Sequence, residues 1–189
     1  MRLTFDLDSV IFDLRPLCRK AFAMAGEKYV QQTSWDVDSI YSPTVCNNLK
    51  QLWSDDILYE MPVLDKKMPY MLNNLMKQPD VEVLFVTERR LKQPEKTFMQ
   101  LKKAGIDCDF SQVFDQEGKK SDILLEIKPT YHFDDSPYVV QGCLDKGVNI
   151  VMISNNSTLY NHYLRSRVEY YRSLRQALYK KGLYNPKTI

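Results

Sequence analysis

Residues 3–13 read LTFDLDSVIFD. An apolar run carries Asp6 and Asp8 one residue apart, with Asp13 shortly after. Acids at i and i+2 of an extended chain point to the same side. Two such carboxylates repel each other unless a cation or a shared proton lies between them. A buried strand that ends in this way calls for a partner charge, and the rest of the chain is read with that requirement in mind.

Further apolar runs have the length and β-branched content of buried strands. Beside Leu3–Leu7 they are Val81–Val86, a weaker Phe110–Phe114, Tyr131–Phe133 and Val148–Ile153. Helical patterns lie between them. Pro94 suits a first helical residue and Gly105 follows that helix. Ser121 or Asp122 could cap a helix through Glu126, stopped by Pro129, and another runs from Pro137 to near Gly147. Strands alternating with helices predict an α/β, Rossmann-like parallel sheet.

Residues 15–71 break the alternation. Arg15–Val30 and Thr44–Leu52 read as helices, so this stretch is expected to be a small helical cap inserted after the first strand. Residues 1–14 and 72–155 then form the core, and 156–189 a C-terminal helix and tail. Within the tail, Tyr160, Leu164, Val168, Tyr171, Leu174 and Leu178 recur every three or four residues. That spacing predicts one long helix over Ser157–Lys181, capped by Gly182.

The chain of 189 residues, 44% hydrophobic and 26% charged with a formal net charge of +2, has ordinary globular composition. Cysteines 18, 46, 108 and 143 are spaced for neither a zinc site nor a CxxC motif and read as free thiols. With no apolar run of membrane-spanning length and no signal-peptide layout, the expectation is a cytoplasmic protein without a membrane partner.

In a parallel sheet, ligands bind beyond the carboxyl ends of the strands. Asp6 and Asp8 fall at one such end, Thr87 at another, and Asp134 and Asp135 at a third. Four carboxylates in one crevice require a cation, and oxygen donors favour Mg²⁺ over zinc. Lys119 or Lys120 could supply an ammonium. His132 reads as a core histidine, Asp13 as a cap or surface acid, and the arginines at 165, 167, 172 and 175 as a solvated helix face.

The order DLDSV (6–10), VT (86–87), GKKSDI (118–123) and HFDD (132–135) resembles the four motifs of the haloacid dehalogenase (HAD) superfamily of phosphotransferases. The resemblance implies that Asp6 is a nucleophile and metal ligand. Asp8 would be the general acid/base, with its backbone carbonyl on the metal. Thr87 and Lys120 would hold the phosphoryl group, and Asp134 and Asp135 the Mg²⁺. Within the superfamily the chain is most similar to the small 5'(3')-deoxyribonucleotidases, through the first motif, the insert that follows it, Thr33–Trp35 and LYEMPVLD (58–65). Ser9 stands where those enzymes carry glycine, and Glu88–Arg89–Arg90 where they carry Ser-Pro. Glu88, Arg89 and Trp35 complete the expected substrate-binding set.

The expected function is Mg²⁺-dependent hydrolysis of a small phosphomonoester through an aspartyl-phosphate, with a (deoxy)nucleoside monophosphate as substrate. Alternatives are a sugar phosphate, a polynucleotide phosphate end, or a non-catalytic binding or assembly module working through the basic C-terminal helix. Nucleic acid is not the expected partner, and a homodimer through that helix is an open expectation.

Overall fold

The structure, a computed structural model, describes residues 1–30, 38, 40–89, 93–115, 119–154, 164 and 166–185. Six strands form one sheet in the order β3-β2-β1-β4-β5-β6, and every described pairing is parallel. The strands are β1 (Arg2–Phe5), β2 (Glu82–Val86), β3 (Val113–Phe114), β4 (Tyr131–Asp134), β5 (Ile150–Ile153) and β6 (Glu169–Tyr171). The helices are α1 (Arg15–Met24), α2 (Pro43–Trp53), α3 (Met68–Met76), α4 (Pro94–Lys103), α5 (Lys120–Ile127), α6 (Pro137–Asp145) and α7 (Leu174–Lys180).

Both faces of the sheet are covered, so its strands are apolar on both sides. Leu3, Phe5, Val83, Phe85, Phe133, Val151 and Ile153 join one buried cluster with Met71, Leu72, Leu75, Leu174 and Leu178 from α3 and α7. Leu84, Val86, Ile150 and Met152 face the other way, onto Leu124 of α5 and Val140 and Cys143 of α6. The period of two is explicit in β2, where 83 and 85 belong to one cluster and 84 and 86 to the other. Phe5 stacks on Phe133 at 5.0 Å and tilts against Phe85 at 6.4 Å, which ties the three central strands together just below their tips. Each such buried side chain contributes roughly 1.5–3 kcal/mol.

Side-chain caps mark several helix starts. Ser42, Ser136 and Ser173 accept from Val45 N, Val139 N and Gln176 N, with Pro43 and Pro137 at the first helical position behind the first two. α5 begins at Lys120 rather than behind Ser121 or Asp122, and ends on Lys128 in the left-handed conformation.

Some sequence-based expectations are corrected. Of Phe110–Phe114, residues Phe110–Gln112 form a 3-10 turn and only Val113–Phe114 pair with β2. The boundary expected at residue 71 falls inside α3.

The single helix over Ser157–Lys181 is absent from the described part of that range, which holds β6 and the short α7. Val168, Tyr170 and Tyr171 pack on the sheet: Val168 and Tyr170 against one cluster, Tyr171 against the other. Ser173, extended at φ −155° and ψ 155°, separates strand from helix and caps the latter. An aromatic, β-branched run satisfies strand alternation as readily as a helical stripe, and the open edge of β5 is what selects the strand. The core therefore continues past residue 155, and the continuous basic helix on which the dimer and binding-module expectations leaned does not form there. Tyr160, Arg165 and Ser157 lie outside the described residues, as does Trp35. No described helix is long and apolar enough to cross a membrane.

Candidate active site

The sheet register brings the expected residues to one edge. Asp6 follows the last residue of β1 and donates its N–H to Phe133 O at 2.9 Å. Thr87 follows β2 and donates to Phe114 O at 3.0 Å. Asp134 is the last residue of β4, and Asp135 comes next. After Asp6 the chain coils tightly: Ile11 N and Phe12 N both donate to Leu7 O at 2.8 Å, and Ser9 N to Phe12 O at 2.9 Å. The coil needs a left-handed residue, and Ser9 supplies it at φ +64° where glycine would be easier. It holds Asp8 at the mouth of the cleft.

That cleft has a volume of about 360 Å³. Its lining includes the polar residues Asp6, Asp8, Thr87, Glu88, Arg89, Lys120 and Asp135 and the apolar residues Leu14, Cys18, Trp53 and Val139. Lys120 is 4% exposed and lies within it, whereas Lys119 is exposed outside. Lys120 Nζ donates to Asp6 Oδ1 at 2.6 Å and to Asp134 Oδ2 at 2.8 Å.

Asp134 is also held by His132, whose Nε2 lies 2.9 Å from Oδ2, and by Ser136 N, which donates to Oδ1 at 2.8 Å. The other ring nitrogen of His132 faces Thr4 Oγ1 at 2.9 Å. Burial pushes the His132 pKa down, so the ring is neutral; it donates from Nε2 to the carboxylate and accepts the threonine hydroxyl at Nδ1.

Oxygens of Asp6, Asp134 and Asp135 lie within 4.8 Å of one another. Burial, then Asp134 and Asp8, raise the Asp6 pKa to about 7 against the pull of Lys120. Burial, then Asp6, Asp134 and Asp8, raise Asp135 well above its ordinary value. For Asp134, burial is outweighed by Lys120 and His132, which bring it down to about 2. The ammonium thus bridges Asp6 and Asp134, while burial and the neighbouring acids hold Asp6 and Asp135 toward their protonated forms.

The Asp8 carboxylate is turned to Arg89, which donates from Nη2 to Oδ1 at 2.7 Å and from Nε to Oδ2 at 3.0 Å. The Arg89 guanidinium is buried, 5.2 Å from the ring centre of Tyr59 and 6.0 Å from that of Phe12. Behind it, Nη1 donates to Thr97 Oγ1 at 3.4 Å, and that hydroxyl donates to Asp115 Oδ2 at 2.9 Å.

Sequence reasoning passed over His132, Ser136, Thr97 and Asp115 as parts of this site. Two signals were present. His132 stands at i−2 from Asp134 on one strand, hence on its side of the sheet. Phe-Asp closes three strands, at Phe5–Asp6, Phe114–Asp115 and Phe133–Asp134, which marks Asp115 as another strand-tip acid. Asp13 accepts from Arg15 N at 2.9 Å and pairs with the Arg15 side chain, a capping role.

No protein-family profile matches the chain. A curated Bacillus cereus protein named "Putative nucleotidase" is 24% identical over 179 residues, covering 87% of this chain and 90% of that protein. Among solved structures, a haloacid dehalogenase-like family hydrolase from Streptococcus pneumoniae superposes with a TM-score of 0.65 at 13% identity, over 94% of this chain and 97% of that one. The HAD protein YfnB of Bacillus subtilis, bound to magnesium, gives 0.56 at 13% identity over 94% and 96%.

Proposed function

We propose that this chain, whose fold is that of the HAD-like hydrolases, is a Mg²⁺-dependent phosphomonoesterase acting on a nucleoside monophosphate. The observation that carries the reading is the convergence of Asp6, Asp134, Asp135 and Lys120 at one sheet edge, in a cleft also lined by Asp8 and by apolar side chains. A Mg²⁺ ion fits this donor set. The three acids offer only oxygen and are buried together, and burial with mutual repulsion raises Asp6 and Asp135 above their ordinary values, a cost that a cation would relieve. Asp6 and Asp135 would hold the ion directly, with the Asp8 carbonyl. Asp134, already occupied by Lys120, His132 and Ser136, would orient the lysine and act at longer range. When bound, the ion offsets charge on the phosphoryl oxygens.

The side chains then divide the work. Asp6 attacks phosphorus and forms the aspartyl-phosphate, while the P–O bond to the alcohol breaks and Asp8 gives that oxygen its proton. Asp8 next takes a proton from water, which attacks the acyl phosphate and releases inorganic phosphate, restoring the Asp6 carboxylate. Lys120 and Thr87 hold phosphoryl oxygens, and Lys120 also keeps the Asp6 carboxylate in place.

The helices inserted after β1 serve as the cap in this reading, and their contribution to the cleft favours a base. Leu14, Cys18 and Trp53 present an apolar surface with one large ring. The Bacillus cereus relative's name points to the same substrate class. Purified protein should release phosphate from nucleoside monophosphates with Mg²⁺, and Asp6→Asn should remove that turnover while the circular dichroism stays native. Failure on every nucleotide with turnover of sugar phosphates would leave a phosphatase of other specificity. Turnover in folded Asp6→Asn protein would overturn the mechanism.

A further inference from the structure

The Asp8–Arg89 pair is not explained by a phosphate-holding role for Arg89. A guanidinium kept for a substrate phosphate would stand open in the cleft. Here the arginine side chain is 1% exposed, and three donations are already committed, two to Asp8 and one to Thr97. The pair is bidentate, so it fixes the plane of the carboxylate as well as its position. Nothing in the support is loose. Tyr59 and Phe12 lie within cation–π range of the guanidinium, Thr97 is fully buried, and Asp115, 3% exposed, closes the row from the tip of β3. To turn toward a substrate, the guanidinium would have to give up both hydrogen bonds to Asp8 and the one to Thr97.

We infer that Arg89 is a positioning residue for Asp8, and that Thr97 and Asp115 hold Arg89 in place so that the carboxylate is aimed at the ester oxygen before substrate arrives. This rests on the phosphatase reading above. The clamp leaves room for the proton that Asp8 carries into the leaving step: a carboxyl group has about four lone-pair sites, the guanidinium takes two, and a proton can sit on one of the others. The value of the aim lies in the leaving step. The alkoxide released from a nucleotide needs a proton as the P–O bond breaks, whereas p-nitrophenolate leaves without one. General-acid help contributes roughly 10²–10⁴-fold, and a misplacement of about 1 Å can cost on the order of 10²-fold.

The test is the ratio of kcat/KM values on a nucleoside monophosphate and on p-nitrophenyl phosphate, both with Mg²⁺; kcat/KM covers the steps up to departure of the leaving group and excludes the later hydrolysis, in which Asp8 is the base for either ester. Arg89→Gln should lower kcat/KM about 30- to 100-fold on the nucleotide and less than about threefold on the aryl ester, with the affinity for inorganic phosphate nearly unchanged. Arg89→Lys should recover part of the nucleotide rate. Thr97→Val and Asp115→Asn, which touch no substrate, should move the ratio in the same direction by a smaller factor. Should Arg89→Gln fail to fold, Thr97→Val reads the same ratio. Equal losses on the two substrates overturn the inference and leave the phosphatase reading standing. So does a rise in KM on both with kcat intact, which would make Arg89 a phosphate contact. A wild-type protein inactive on both esters overturns the phosphatase reading itself, and this inference with it.

Discussion

Lys120 Nζ stands 2.6 Å from Asp6 Oδ1 in a site where both side chains are less than a tenth exposed. The same ammonium reaches Asp134 Oδ2 at 2.8 Å, so one cation serves two buried acids. Its removal leaves an uncompensated cluster, and breaking a buried pair from one side costs about 3–5 kcal/mol. Lys120→Met should therefore lower unfolding stability by about that much in urea titrations with EDTA, and Mg²⁺ should recover part of it. A loss below about 1 kcal/mol would mean that the ammonium is not the countercharge of the cluster.

His132 is the other support of Asp134. It relays Thr4 of β1 to the β4 carboxylate at 2.9 Å on each side, and it is fully buried. A phenyl ring fills similar space but strands both polar partners. His132→Phe should cost about 2–3 kcal/mol in chemical denaturation, from the desolvation of groups left unpaired. It should also weaken Mg²⁺ binding measured by calorimetry, since Asp134 loses one of the contacts that orient it. Unchanged stability and unchanged metal affinity together would show that the relay is incidental.

The metal prediction carries a pH signature whose sign follows from Asp6. Its pKa rises from 3.8 to about 7, chiefly through burial and then through neighbouring acids. In the metal-free fold the carboxyl therefore keeps a proton that the unfolded chain gives up. The associated stability is complete below 3.8 and is lost as pH rises through about 7. Asp135 moves in the same direction. His132, lowered by burial, acts oppositely below its ordinary value of 6.5, so the clean observable is the increment due to metal. Mg²⁺ replaces the held protons, and its rise in Tm should be larger at pH 7.5 than at pH 5. Asp135→Asn should raise the Tm in EDTA by relieving repulsion, and should abolish most of the Mg²⁺ increment. An increment that is flat across this pH range, or that survives Asp135→Asn, would place the metal elsewhere.

The strand tips were legible in the sequence because burial on both faces makes the strands near-continuous apolar runs, against which an acid stands out. Asp6, Thr87, Asp134 and Asp135 are all visible in this way, whereas the sequence left Lys119 and Lys120 as alternatives, and it is the start of α5 at Lys120 that buries one and exposes the other. The C-terminal region was not legible. Val168, Tyr171, Leu174 and Leu178 fit a helical stripe, yet the same run fits a strand followed by a capped turn of helix. What decides is the vacant edge of β5, a tertiary fact. The Arg89–Asp8 pair was hidden for a related reason: it joins residues 81 apart, and neither has a local pattern that names the other. Thr97 and Asp115 inherit that difficulty, although the Phe-Asp ending shared by three strands pointed at Asp115.

The last expectation concerns Trp53, at the C-terminal end of α2. Three aromatic residues of the inserted stretch, Trp35, Tyr41 and Trp53, carry rings that could stack on a base, and Trp35 lies outside the described residues. Tyr41 is core: it is 8% exposed, packs edge-on against Phe22 at 4.9 Å, and donates its hydroxyl to Val30 O at 3.3 Å. Trp53 is only half-buried and lines the cleft with Leu14 and Cys18. Its ring is the one a base in that cleft would meet. Stacking on an aromatic ring is worth roughly 1–3 kcal/mol, so Trp53→Ala should reduce kcat/KM for nucleoside monophosphates by on the order of tenfold to a hundredfold. A small aryl phosphate that never reaches the ring should lose much less. Tyr41→Phe, which removes one buried hydroxyl at a distance from the cleft, should leave both rates close to wild type while lowering stability by about 1 kcal/mol. If Trp53→Ala depresses nucleotide and aryl phosphate turnover alike, the ring does not read a base, and the substrate is better sought among phosphomonoesters that carry none.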